Sequence, residues 1–277
     1  MALKNFDGAV AVLTGGASGI ALATARALYA RGAHVVLADI NEQGLQQAAQ
    51  QVKESNPSSG KHITVMKTDV TNEEQVRELM HLALNTCGHI DLVIASAGIG
   101  RGGLIDLFTA QEMQTMMNIN FMGTYHCVQA VLPLMRQQQH GHFVFLSSAA
   151  GKLCVPLLTG YCASKWAVRG FSTALRAELY GTGIDITTVY PSWVDTPMVH
   201  QEGMEFMNID VKLSAEQVAA EILQAVQDGR HYLTLAPDEG TAHMLAIMKD
   251  DPDKAEQLMG QSFQQRVREV FGGQSPS

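Results

Sequence analysis

Charge is scarce in this chain: Asp, Glu, Lys and Arg make up 17% of 277 residues, and aromatic residues only 6%. Lys and Arg form no block, and 27 acidic residues against 19 basic ones leave a net charge of −8. Without a basic face, nucleic acid and anionic membrane are poor candidates for the main partner. Apolar runs stay well short of bilayer-spanning length, and the first residues lack a charged segment followed by a signal-type apolar core. The four cysteines (Cys87, Cys127, Cys154, Cys162) show neither Cys-x-x-Cys pairing nor zinc spacing with histidine. Reduced thiols, no metal site and a cytoplasmic location are the expectations. Cys162 adjoins Tyr161, so a thiol reagent there is expected to block any site built on that tyrosine.

What is present is an ordinary apolar content of 46% in a chain long enough to bury a large core without cross-links. That length permits two domains, but α/β folds often use it for one. Strand-like and helix-like patterns alternate: apolar Ala9–Leu13 before helical Ile20–Ala30, His34–Ala38 before Glu42–Glu54, Ile63–Lys67 before Glu73–Thr86, then Ile90–Ala95. A helical stretch of 110–138, which Pro133 should kink or end, precedes strand His142–Leu146. Helix Tyr161–Tyr180 then leads to strand Asp185–Val189. Strict alternation implies right-handed parallel crossovers, hence a single-domain α/β fold with a doubly wound, Rossmann-type parallel sheet between two helical layers. Ligands of such sheets bind beyond the carboxyl ends of the strands.

Every notable motif falls at such an end. The turn Thr14-Gly15-Gly16-Ala17-Ser18-Gly19-Ile20-Ala21 links the first strand to the first helix. Glycines there allow close backbone approach to a pyrophosphate, and the helix N-terminus offers free N–H groups; Gly15, Ser18, Gly19 and Ile20 are the candidate contacts. Asp39 closes the second strand, where a carboxylate accepts bonds from ribose hydroxyls and repels a 2′-phosphate, so NAD is favoured over NADP. Asp69, in Thr68-Asp69-Val70, either meets the adenine edge or caps the next helix.

Tyr161 and Lys165 are four apart on a helix and share a face. A free phenol titrates near pH 10, and a nearby ammonium together with an oxidised nicotinamide favours the phenolate. Tyr161 is then able to take a hydroxyl proton as hydride leaves, and to return it in reduction. Ser147 and Ser148, just upstream, both offer a hydroxyl to a substrate oxygen.

Together these motifs resemble the short-chain dehydrogenase/reductase family, in its compact single-domain branch. The likeness runs in order from Thr14 to Thr196, through the Gly turn, Asp69, Ala97-Gly98, Asn120, Ser148, Tyr161-Cys162-Ala163-Ser164-Lys165, Pro191 and Thr196. It implies that Tyr161 is the acid/base, Lys165 its activator and ribose anchor, and Ser148 rather than Ser147 the holder of the substrate oxygen. Asn120, in preference to Asn118, matches the residue that bends a helix and supports a proton relay to solvent. Val70, Ala97 and Gly98 would adjoin the cofactor; Pro191, Val194 and Thr196 belong to a segment whose Thr contacts its carboxamide. Three departures from the usual pattern stand out: Ala21 for Gly, Ala95-Ser96 for Asn-Asn, and Ser192 for Gly. The resemblance also implies a homodimer or homotetramer formed through the long helices.

Past Thr196 the chain is individual. Residues 197–212 carry Met198, Met204, Phe206 and Met207 and are expected to cover the substrate, with Leu153–Leu158 lining the same mouth. So few charges suit an apolar secondary alcohol or ketone. His231–Leu235 reads as a last strand, and residues 1–237 as the cofactor-binding domain. Residues 238–277 read as a mainly helical extension that closes the pocket, packs on a neighbouring subunit or, as the default expectation, caps the sheet, and His140 and His142 as solvated turn residues flanking Gly141.

Overall fold

The computed structural model describes residues 3–200 and 211–271. Met204, Phe206 and Met207 of the expected substrate cover lie outside the described residues. The strands are β1 (Val10–Thr14), β2 (His34–Asp39), β3 (Ile63–Lys67), β4 (Leu92–Ala95), β5 (Gly141–Leu146), β6 (Ile184–Pro191), β7 (Val194–Asp195), β8 (Leu213–Ser214) and β9 (Tyr232–Leu235). Among the described residues, seven of them form one sheet in the order β3-β2-β1-β4-β5-β6-β9, and every pairing is parallel. The chain reverses its direction of winding between β1 and β4, which opens a crevice at their carboxyl ends.

The helices are α1 (Gly19–Ala30), α2 (Glu42–Glu54), α3 (Glu73–Cys87), α4 (Ala110–Met117), α5 (Gly123–Gln138), α6 (Thr159–Glu178), α7 (Ala215–Asp228), α8 (Glu239–Asp250) and α9 (Pro252–Phe271). Two-residue periodicity in the strands builds both layers. Ala11, Leu13, Val35 and Leu37 point to one face and pack with Leu28 of α1, Leu45 of α2 and Ile222 of α7. Val12, Val36 and Ala38 point to the other and pack with Leu79 of α3, Val131 of α5 and Val168 of α6. Strands buried on both faces read as continuous apolar runs, which is why β1, β4 and β5 are legible in the sequence.

Two local expectations are corrected. The 110–138 stretch breaks not at Pro133 but at a π-helical turn, Asn118–Met122. There Asn120 turns inward to bond loop backbone, and Gly123 lets the helix approach Val70, whose Cγ2 would lie 2.7 Å from an added Cβ. Helix α5 runs unbroken across Pro133, because Pro133 and Gln129 lie on the exposed face, where water serves the carbonyl freed by the missing N–H.

His142 is also not solvated: it is 2% exposed within β5. The Thr187 hydroxyl, donating to Arg230 O at 2.8 Å, accepts from His142 Nε2 at 2.9 Å, which defines the neutral Nε2–H tautomer. Its Nδ1 has no partner, and burial holds the imidazole down to about 4. Because the folded pKa lies below the unfolded value, this group's contribution is complete above the unfolded pKa of about 6.5 and is lost as pH falls towards about 4. Urea melts are expected to show about 3 kcal/mol of stability lost across that window through this group, with a flatter profile in His142→Gln. His140 instead pairs its Nε2 with Asp91 Oδ1 at 2.9 Å.

No helix among the described residues is long and apolar enough to cross a membrane.

Candidate active site

The crevice at the carboxyl ends of the strands is a cavity of about 690 Å³. It gathers the glycine turn after β1, Asp39 after β2, Asp69 and Val70 after β3, Ala97 and Gly98 after β4, Ser148 after β5, Tyr161 and Lys165 from α6, and Pro191, Val194 and Thr196 after β6. Asn120 is not on its wall but directly behind it.

At the cofactor end the backbone is bare by construction. Gly15 has φ +69°, and a Cβ there would sit 3.0 Å from the Cα and N of Ala97. Gly19 has φ +55°, and its Cβ would sit 3.2 Å from Thr196 Cγ2. Ser18, the N-cap of α1, makes no side-chain cap, so the N–H groups of the first turn stay available. Both oxygens of Asp39 are held by backbone donors, Oδ2 by Ala17 N at 3.1 Å and Oδ1 by Asn41 N at 3.0 Å, and each keeps accepting capacity. A cradle closed to side chains, a helix N-terminus and an oriented carboxylate fit a dinucleotide: pyrophosphate on the turn, ribose hydroxyls on Asp39. Asp69 accepts from Thr71 N and Oγ1 at 2.9 and 2.7 Å, and the α3 cap is Asn72 rather than Asp69. Where the usual amides are replaced by Ala95-Ser96, the Thr14 hydroxyl takes up the N–H groups of Ser96 and Ala97 at 3.1 and 3.3 Å.

The other end collects the proton-handling groups. Both serines border the cavity, but the buried Ser147 hydroxyl is spent on structure, donating to Lys165 O at 3.0 Å, whereas the Ser148 hydroxyl accepts from Ala150 N at 3.1 Å. Lys165 is 4% exposed; its Nζ donates to Leu146 O at 2.8 Å and lies 5.6 Å from the centroid of the Tyr161 ring. Asn120 clamps the loop beyond β4, with Oδ1 accepting from Ile99 N at 2.8 Å and Nδ2 donating to Ile99 O at 3.0 Å and Ser164 Oγ at 2.9 Å. Gly98 fits between these groups, since its Cβ would stand 3.1 Å from Asn120 Oδ1 and 3.5 Å from Lys165 Nζ.

Burial sets the protonation states. It pushes the Tyr161 phenol up to about 12, against a hydrogen bond with Ser148 that pulls it down. It pulls the Lys165 ammonium down to about 8. The phenol is therefore not lowered by Lys165 in the cofactor-free chain, because the ammonium faces the ring and Leu146 O rather than the phenol oxygen. Lys165 is a buried cation without a carboxylate partner in any bond described for it. Its folded pKa lies below the unfolded value, so burial destabilises the fold at neutral pH, and this penalty lifts as pH rises from about 8 to about 10.5. Lys165→Met is expected to stabilise the cofactor-free protein by about 1–3 kcal/mol at neutral pH, read as a raised melting temperature.

Several wall residues carry no sequence signal of their own. Helices α8 and α9 contribute Met244, Leu258, Met259, Ser262 and Phe263, so the extension lines the cavity instead of merely capping the sheet. Ser192 bonds Asp238 Oδ2 at 2.9 Å, tying the turn after β6 to the start of α8. Cys162 is not on the wall; its half-buried Sγ lies 3.9 Å from Val155 O, and Val155 borders the cavity. Among the described residues no group of His, Cys, Asp and Glu is arranged to hold a metal.

Comparison with known proteins agrees with this arrangement. The family model for short chain dehydrogenases matches residues 9–205. An uncharacterized oxidoreductase of Staphylococcus epidermidis is 35% identical over 222 residues, which span 80% of this chain and 92% of that one. Among solved structures, a short chain dehydrogenase/reductase from Burkholderia phymatum in complex with NAD superposes with a TM-score of 0.83 at 27% identity, covering 90% of this chain and 95% of that one. Levodione reductase superposes with a TM-score of 0.77 at 27% identity, over 86% and 99% of the two chains. The strand order, the glycine cradle and the Ser, Tyr and Lys drawn to one cavity thus coincide with a match over most of the length: the chain belongs to the short chain dehydrogenase family of oxidoreductases.

Proposed function

We propose that this protein is an NAD-dependent oxidoreductase interconverting an apolar secondary alcohol and its ketone. The observation that carries the reading is the convergence of Ser148, Tyr161 and Lys165 on the cavity that also holds Asp39 and the glycine turn. Bound NAD supplies the hydride acceptor in one direction and, reduced, the donor in the other. Ser148 holds the substrate oxygen by a hydrogen bond. Tyr161 takes the hydroxyl proton in oxidation and gives it back in reduction. With the cofactor bound, Lys165 would anchor ribose hydroxyls, and its ammonium together with the positive ring of the oxidised cofactor would favour the phenolate of Tyr161 against the burial that raises it in the cofactor-free chain. Asn120 acts through position: it fixes the loop beyond β4 and, through Ser164, the catalytic helix α6.

Asp39 supports NAD over NADP, since its carboxylate repels a 2′-phosphate and its neighbour Ile40 supplies no cation. The acidic balance of the chain weighs against the alternative of a carrier-bound 3-oxoacyl thioester reductase, which usually comes with a basic docking surface. A cytoplasmic homodimer or homotetramer completes the proposal, supported by four unpaired thiols and by family resemblance. The test is NADH formation from NAD⁺ across short and long apolar secondary alcohols and polyols. Turnover is expected for the apolar alcohols, increasing in kcat/KM with apolar size; turnover confined to polyols contradicts the reading.

A further inference from the structure

The family match ends at residue 205, and the paired helices α8 and α9 lie beyond it. They are thinly attached. Helix α8 has no buried residue, and Ala255 is the one fully buried residue of α9 among those described. Helices of this length need an apolar face in contact with something. Here that face is turned to the reaction chamber: Met244 of α8 and Leu258, Met259 and Phe263 of α9 all border the cavity that contains Tyr161. Their spacing along α9 places Leu258, Met259, Ser262 and Phe263 on one side of the helix.

Two contacts hold the pair in place. Asp238 caps α8 through Thr241 N and accepts from Ser192 Oγ at 2.9 Å, so the α8 start is fastened beside the turn after β6. Met259 Sδ lies 3.9 Å from Cys154 Sγ, which fastens α9 to the 153–158 segment whose Leu153, Val155 and Leu157 form part of the same chamber. Among the described residues, the wall so made has flexible thioethers, an alkyl chain and the Phe263 ring facing the cavity and no charged side chain from α8 or α9. Apart from the hydroxyls of Thr241 and Ser262, such a surface has little to offer a sugar or a phosphate, and its apolar part gains from methylenes placed against it.

We propose that α8 and α9 form a specificity wall that selects substrates by the length of their apolar body. The inference rests on the oxidoreductase reading and gives it a substrate class: secondary alcohols and ketones whose oxygen sits near one end of an extended hydrocarbon, with the remainder packed against Met259 and Phe263. Each added methylene that reaches the wall tightens binding by about fourfold. The gain stops when the chain outruns the wall.

Calorimetric titration of the NAD⁺-loaded protein with methyl alkyl ketones, from methyl propyl to methyl nonyl, tests this without turnover, because a ketone and oxidised cofactor do not react. In the wild type, affinity is expected to rise stepwise with chain length. Met259→Ala with Phe263→Ala flattens the rise while leaving methyl propyl ketone unchanged. Ser262→Phe, an exposed position whose substitution leaves the fold intact, is expected to weaken methyl nonyl ketone by about tenfold or more and to spare the short ketones. A wild type indifferent to chain length overturns the proposal, and so does a length dependence that survives both variants. Absence of NADH formation from NAD⁺ and the corresponding secondary alcohols, alongside length-dependent ketone binding, would count against the oxidoreductase reading and leave the wall standing.

Discussion

Tyr161→Phe is expected to lower kcat by about 10²–10⁴-fold while NADH binding persists. The substitution deletes one oxygen from a side chain whose ring already packs at the cavity wall, so the fold loses little. What it loses is the group able to exchange a proton with the substrate oxygen beside Ser148. The same group sets the pH dependence. With the phenol held up to about 12 in the free chain, Tyr161 carries its proton at neutral pH, as ketone reduction requires. Alcohol oxidation requires that proton to be gone. Its kcat/KM is expected to rise with pH through the neutral range, while that of reduction stays level. Residual oxidation in Tyr161→Phe should lack the rise. A variant retaining wild-type turnover would remove Tyr161 from the chemistry.

The second large effect concerns cofactor choice. Asp39→Arg exchanges an oriented carboxylate for a cation at the end of β2. A hydrogen bond to a charged group contributes about 1.5–3 kcal/mol, so loss of the ribose contact is expected to weaken NAD⁺ by about tenfold to a hundredfold. The cation then meets the 2′-phosphate, and NADP⁺ should bind better than it does to the wild type. Paired titrations of the two cofactors measure this directly. Unchanged discrimination would mean that Asp39 serves only the Ala17 and Asn41 amides it bonds in the structure.

Much of this architecture is legible in the residues. Apolar runs buried on both faces announce β1, β4 and β5, and a glycine turn between β1 and α1 places the crevice. Tyr161 and Lys165 are legible together because four residues make one helical face. Ser147 and Ser148 are not separable by composition: both border the cavity, and it is the tertiary bond to Lys165 O that occupies the hydroxyl of Ser147. The break at Asn118–Met122 is legible only through the family resemblance of Asn120, because its cause lies far along the chain, in Ile99 and Ser164. Pro133 misleads for the converse reason, since an exposed carbonyl tolerates the loss of a helical bond. His142 looks like a turn residue beside Gly141, yet its partner Thr187 belongs to the neighbouring strand β6. For α8 and α9, periodicity shows an apolar face but not what it faces; only the folded chain turns it to the cavity.

The most direct test of the account is transfer of the reacting hydrogen itself. An apolar secondary alcohol carrying deuterium on its carbinol carbon is to be incubated with the protein and NAD⁺, and the product dinucleotide examined by NMR. The account predicts NADH singly deuterated at the nicotinamide C4, with the label on one face, and a matching ketone. NADH formed without deuterium, or ketone formed without NADH, would contradict direct hydride transfer between carbinol carbon and cofactor.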